Sequence, residues 1–303
     1  MNGKTVEIFG VPLDLGANLR GATMGPSAIR IADLKTRIET LNIKVIDSGD
    51  VLIPVREALS NPEVESNYLE TISSVCEGLA KRVINSAKDN NLPLILGGDH
   101  SIAVGSISGM SSYFQSQGKK LGVIWVDAHA DMNTPDSSPS GNIHGMPLSA
   151  LLGQGHDRLV NLMGTGQKLK PENVALIGIR NIDGHEKENL RNSGVHYYSM
   201  RQIDEKGMFK VMTDALSKLG DVDGIHLSCD MDGIDPLYAP GVSTPVSGGI
   251  SYREIHLALE MIADSGKLCS MEFVELNPNY DVTHKTANLV VELALSALGK
   301  SIV

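Results

Sequence analysis

Short runs of β-branched and apolar residues alternate, from one end of the chain to the other, with longer stretches of helical character. A parallel sheet covered by helices produces this pattern, because each strand must be buried on both faces and each crossover needs a helix. About eight strands are expected on this reading, over residues 5–10, 43–47, 92–97, 122–127, 174–179, 195–198, 224–229 and 268–274. The intervening stretches read as crossover helices, for example over 26–41, 61–88, 208–219, 251–263 and 286–298. Pro26 precedes apolar positions at Ile29, Leu34 and Ile38, and Ser251 stands three residues before Glu254 as in a capping box. No proline-rich linker, charge block or internal repeat divides the chain, so one domain over 1–303 is the simplest expectation. The glycine- and proline-rich segments 131–147 and 232–249 directly follow strands, where open α/β sheets carry their ligand sites.

Composition narrows the partners. With 42% hydrophobic residues in a chain of 303, a sizeable core is expected and a disordered chain is excluded. No apolar run approaches the ~18 residues of a membrane-spanning helix, and Met1-Asn2-Gly3-Lys4 leads into Val6-Glu7-Ile8-Phe9 without an apolar signal core, so a cytoplasmic protein is expected. Cys76, Cys229 and Cys269 are too scattered for a disulfide framework or thiolate metal site. The formal net charge of −10 opposes binding to nucleic acid or anionic lipid and leaves cationic ligands and metal ions as natural partners.

The chemistry concentrates at three strand ends. Val123-Ile124-Trp125-Val126 runs into Asp127-Ala128-His129-Ala130-Asp131, whose three polar side chains would share one face of an extended chain. Asp230 and Asp232 repeat the device after Gly224-Ile225-His226-Leu227-Ser228-Cys229, and Gly97-Gly98-Asp99-His100 delivers a histidine after a glycine turn. If these ends are neighbours in the sheet, His100, Asp127, His129, Asp131, Asp230 and Asp232 form a pocket of four carboxylates and two imidazoles. Four like charges so close require protons or cations, and two divalent ions would neutralise them. Oxygen and nitrogen donors without thiolate suit Mn²⁺ above all, then Co²⁺, Fe²⁺ or Mg²⁺, with Zn²⁺ less well matched. Two such ions sharing a water molecule imply hydrolysis. Asp99, opposed to His100, and Asp235, beyond the turn at Gly233, are read as lying outside the ligand set. His156, His185, His196, His226, His256 and His284 receive no role.

Gly97-Gly98-Asp99-His100-Ser101, Asp127-Ala128-His129-Ala130-Asp131 and Ser228-Cys229-Asp230-Met231-Asp232-Gly233-Ile234-Asp235-Pro236 together resemble the three metal signatures of the ureohydrolase family. The likeness runs from Gly10-Val11-Pro12-Leu13-Asp14 to Glu272-Phe273-Val274-Glu275-Leu276-Asn277-Pro278, nearly the whole chain. It implies a three-layer α/β/α fold around an eight-stranded, mainly parallel sheet, a binuclear manganese centre, and a homo-oligomer, trimer or hexamer. Family likeness alone leaves the arginine, agmatine and formimidoylglutamate hydrolases open. Within it, Asn133, Ser138 and Ser140 resemble positions that hold the α-carboxylate of arginine, while Asp183 and Glu186 resemble those addressing its α-ammonium group. Thr244 and Glu275 match positions lining the guanidinium end. The resemblance further implies that a metal-bridging hydroxide attacks the guanidinium carbon to give urea and ornithine. In that scheme Asp131 passes a proton to the departing amine, Glu275 orients the substrate, and His144 returns a proton to solvent. Agmatine or another guanidino compound is the nearest alternative substrate. Phosphoester hydrolysis is disfavoured because the motif loops lack a basic phosphate clamp, and a noncatalytic homologue because every ligand is present.

Overall fold

A computed structural model describes residues 5–60 and 67–300. Its strands are β1 Val6–Val11, β2 Val45–Asp50, β3 Leu92–Gly97, β4 Leu121–Val126, β5 Val174–Ile179, β6 His196–Ser199, β7 Gly224–Asp230 and β8 Leu268–Val274. They form one sheet in the order β2-β1-β3-β8-β7-β4-β5-β6, and every pairing is parallel. The central strands are apolar at consecutive positions because both faces are covered. Leu94, Leu96, Ile124 and Val126 pack into the core on one face, Ile95, Val123 and Trp125 into the core on the other.

The covering helices are α1 Gly25–Ile31, α2 Leu34–Glu39, α3 Leu69–Lys88, α4 Ala103–Ser116, α5 Pro147–Leu151, α6 Asp157–Val160, α7 Gly184–Ser193, α8 Met200–Lys206, α9 Met208–Lys218, α10 Tyr252–Asp264 and α11 Lys285–Ala297. Residues of α1, α2, α9, α10 and α11 fill the first core, and those of α3 and α4 the second, giving the three-layer α/β/α arrangement. The capping box at Ser251 and Glu254 is formed as its spacing suggests.

Two expectations are corrected. The helix expected over 26–41 is two helices, because Asp33 takes a left-handed φ of 62° between them. That expected over 61–88 is helical from Leu69, with 61–66 outside the described residues. Helix α4 fills the crossover between β3 and β4 even though Ser and Gly crowd its sequence and weaken helix propensity. Its stability comes from packing. A Cβ on Gly105 or Gly109 would lie 2.6 Å from Cys76 O or 2.7 Å from Ala80 O, so the missing side chains let α4 sit directly on the α3 backbone.

Candidate metal centre

The site lies at the carboxyl ends of β3, β8, β7 and β4. Strands β4 and β7 are neighbours, pairing Val126 with Cys229, but β8 separates β3 from β7. His100 therefore reaches across an intervening strand, and Glu275 directly follows that strand. The twin glycines before His100 serve close approach: a Cβ on Gly98 would fall 1.8 Å from Leu13 O.

All six expected ligands come together, though a strand pleat does not align them. Strand β4 stops at Val126, and the chain bends through 127–131 with Asp131 at φ 52°. Asp230 ends β7 and caps the 3₁₀ turn Met231–Gly233, accepting from Asp232 N–H at 2.8 Å. The bends, rather than alternation, turn successive carboxylates inward. His100 Nδ1 lies 3.0 Å from Asp131 Oδ2, 3.1 Å from Asp230 Oδ2 and 3.3 Å from Asp127 Oδ2. His129 Nδ1 lies 3.2 Å from Asp232 Oδ2 and 3.4 Å from Asp127 Oδ1. Two groups able to hold an ion result, His100–Asp127–Asp230 and Asp127–His129–Asp232, and Asp127 belongs to both.

The donor set fits divalent cations. One ring nitrogen can carry one proton, yet three carboxylate oxygens crowd His100 Nδ1, and Asp131 Oδ2 is buried without a hydrogen bond. Spacings near 3 Å are those between adjacent ligands about 2.1 Å from a common ion. Without metal, protons do the neutralising. Burial opposes charge on every member, but the surrounding carboxylates lift His100 well above its usual range and His129 to about 12. Burial and Asp127 push Asp131 up to about 6, and burial with Asp232 raises Asp230 further. Asp127 is held below the usual carboxylate range by the two imidazoles despite its burial.

Supporting bonds set each imidazole. His100 Nε2 meets Ser228 Oγ at 2.8 Å, and Ser228 donates to Glu272 Oε1 at 2.7 Å, which leaves Nδ1 for a cation. Trp125 stacks on His100 with ring centroids 4.2 Å apart and donates from Nε1 to Asp127 Oδ2 at 3.0 Å. Neither Ser228, Trp125 nor Glu272 was assigned a part from sequence; an indole two residues before a buried aspartate on one strand face was the available signal.

A cavity of about 340 Å³ opens above the centre, reaching from His129, Asp131, Asp230 and Asp232 to Asn133, Ser138, Ser140, His144, Asp183, Glu186 and Thr244. Asn133 Nδ2 donates to Asp183 Oδ2 at 3.0 Å, and Asp183 caps α7 by accepting from Glu186 N–H at 2.9 Å. Ser138 and Ser140 Oγ accept from Gly141 and Asn142 N–H at 3.0 and 3.2 Å. Burial pushes Glu186 up to about 7 although Met132 N–H bonds it. Thr244 Oγ1 donates to Asp232 Oδ2 at 2.9 Å, so it steadies a metal-side carboxylate as well as lining the cavity. Glu275, at φ 64°, accepts from His100 N–H at 2.8 Å and pairs with His144 Nδ1 at 3.0 Å through Oε1, while its buried Oε2 has no partner. Burial disfavours charge on both, yet Glu275 raises His144 to about 9 and His144 lowers Glu275. The left-handed backbone at Glu275 and Asp131 costs of order 1–3 kcal/mol each, a cost typical of functional sites. Asn142 and Asn181 also line the cavity and were not singled out from sequence.

Residues 4–299 match the Arginase family. The chain is 50% identical to the arginase of Bacillus subtilis over 299 residues, 99% of each chain, and 48% identical to that of Brevibacillus brevis over 98% of each. The native structure of Bacillus caldovelox arginase superimposes with a TM-score of 0.94 at 45% identity, covering 99% of this chain and 100% of that one. The chain belongs to the arginase family. Within that family frame, His100, Asp127, His129, Asp230 and Asp232 could bind two metal ions. Asp99 and Asp235 are occupied elsewhere: Asp99 accepts from Gly16 N–H at 2.7 Å and from Ser101, and Asp235 from the N–H groups of Leu237, Gly248 and Gly249.

Proposed function

We propose that this arginase-family protein hydrolyses L-arginine to L-ornithine and urea with two manganese ions held by His100, Asp127, His129, Asp131, Asp230 and Asp232. The observation carrying this reading is one cavity with two chemically different ends: a carboxylate cluster at its base and neutral amide, hydroxyl and acidic groups at its rim. A long cationic amino acid complements both. Two bound dications would supply a water molecule acidified toward neutrality. The oxygen and nitrogen donor set without thiolate favours manganese.

In this scheme the free Oε2 of Glu275 takes paired N–H donors of the substrate guanidinium, which stays protonated at any working pH. Asn133, Ser138 and Ser140 present donors to the α-carboxylate, and Asp183 and Glu186 accept from the α-ammonium group. Water oxygen bonds to the guanidinium carbon to give a tetrahedral adduct, from which the bond between that carbon and the substrate's ε-nitrogen breaks. Asp131 Oδ2, buried without a hydrogen-bond partner, carries the water proton to the departing amine. His144, one-fifth exposed and tied to Glu275 through Nδ1, keeps Nε2 for proton exchange with solvent. The same reading takes the enzyme as a cytoplasmic homo-oligomer, a trimer or hexamer, serving arginine catabolism. Among the described residues no helix is long and apolar enough to cross a membrane.

Urea release from L-arginine and agmatine by chelator-stripped enzyme, before and after each of Mn²⁺, Co²⁺, Mg²⁺ and Zn²⁺ is restored, tests this. Manganese-restored turnover of arginine well above agmatine is expected. Equal turnover of the two would overturn the rim assignment, and undiminished activity after stripping would overturn the metal centre.

A further inference from the structure

Arg180 follows β5 and lies half-buried behind the centre, yet its guanidinium meets no carboxylate in an ion pair among the described residues. All five of its N–H donors go to main-chain oxygens instead. Nη2 donates to Asp232 O at 2.7 Å and Val246 O at 2.6 Å, Nη1 to Gly233 O at 3.0 Å and Gly178 O at 3.2 Å, and Nε to Val246 O at 3.2 Å. A guanidinium offers five donors in a fixed plane, so it can gather carbonyls from several segments where an ammonium cannot. The surroundings are shaped to admit it. Gly178, at φ 97°, sits where the β5–β6 register shifts, and a Cβ on Gly249 would lie 2.6 Å from Arg180 Nη2. The carbonyls it joins belong to the turn carrying Asp232, to the loop that brings Thr244 onto Asp232, and to β5.

We infer that Arg180 is a positioning residue that locks Asp232 in place through backbone carbonyls, and so governs the affinity of the ion in the Asp127–His129–Asp232 group while sparing the His100–Asp127–Asp230 group. This rests on the two-ion reading. Electrostatics alone predicts the opposite sign: removing a fixed positive charge beside four carboxylates would tighten cation binding at both positions.

The test is calorimetric titration of Mn²⁺ into metal-free wild type, Arg180→Ala and Arg180→Lys, with His100→Ala and His129→Ala marking the ion of each group. In wild type two ions should bind; if none binds, the two-ion reading itself fails, separately from this inference. In R180A one ion should keep its affinity and the other weaken about 10–100-fold. Adding H129A to R180A should change little, and adding H100A should remove the ion that remains. R180K, which keeps the charge with at most three donors, should fall between wild type and R180A. Equal weakening of both ions, tighter binding, no change, or loss of fold in both Arg180 variants would overturn the assignment.

Discussion

The base of the cavity and its rim are built on different principles. At the base, partners come from distant parts of the chain: His100 meets Asp230 and Ser228, and Ala128 N–H meets Asp232 at 3.3 Å. These groups are buried at the ends of central strands and crowd one another too closely for protons to satisfy them all. At the rim, Ser138 and Ser140 bond to backbone two or three residues away, and the Asn133–Asp183 pair joins two loops at a partly exposed position. Such local bonds exchange readily for substrate, because each net hydrogen bond is worth only about 1 kcal/mol. On the proposed function the contrast separates the tasks: a base organised in advance would serve the reaction, and a rim held by local bonds would select what enters.

Removing the carboxylate common to both ion groups should break the base outright. Asp127→Ala is expected to lose both ions and, with them, all measurable urea release; metal analysis showing two ions retained would contradict the shared position. Next in size, Glu275→Gln keeps the shape but withdraws the charge facing a guanidinium, and kcat/KM should drop about a hundredfold or more with the ion count unchanged. A loss of metal instead would place Glu275 with the ligands. At the rim, Asp183→Asn should raise KM for arginine about tenfold with kcat nearly unaltered; a fall in kcat at constant KM would mean that the rim joins the chemistry.

The smallest effect sharpens the electrostatics of the base. His129 is raised to about 12 and His100 well above its usual value in the metal-free protein, so both are protonated at neutral pH. Ligation needs neutral rings and ionised carboxylates, and ion binding should expel at least two protons. Apparent affinity should therefore climb as pH rises. Calorimetry in buffers of different ionisation enthalpy reads this number directly, and heats independent of the buffer would refute it.

Much of this could be read without coordinates. The strands were recognisable because two-sided burial demands continuous apolar runs, and the ligand residues because carboxylates and histidines cluster at the ends of those runs. A helix between β3 and β4 follows from the crossover pattern, but the bounds of α4 do not, because its glycines and serines serve a close contact with α3 that no propensity reveals. The rim residues carried no local signal of their own and were found only through likeness to a family. The pleat argument for Asp127, His129 and Asp131 expects them to converge by alternation, whereas the bends at 127–131 bring them together instead.

Local patterning thus marks which elements form and which carboxylates and imidazoles gather at strand ends, since periodicity and donor type are properties of short windows. Neighbourhood across the sheet was settled elsewhere. The insertion of β8 between β3 and β7, the pairing of Glu275 with His144, and the gathering of four carbonyl groups by Arg180 join residues far apart in the chain. Strand order depends on how whole faces pack together, a balance summed over the entire core, and no single segment contains it.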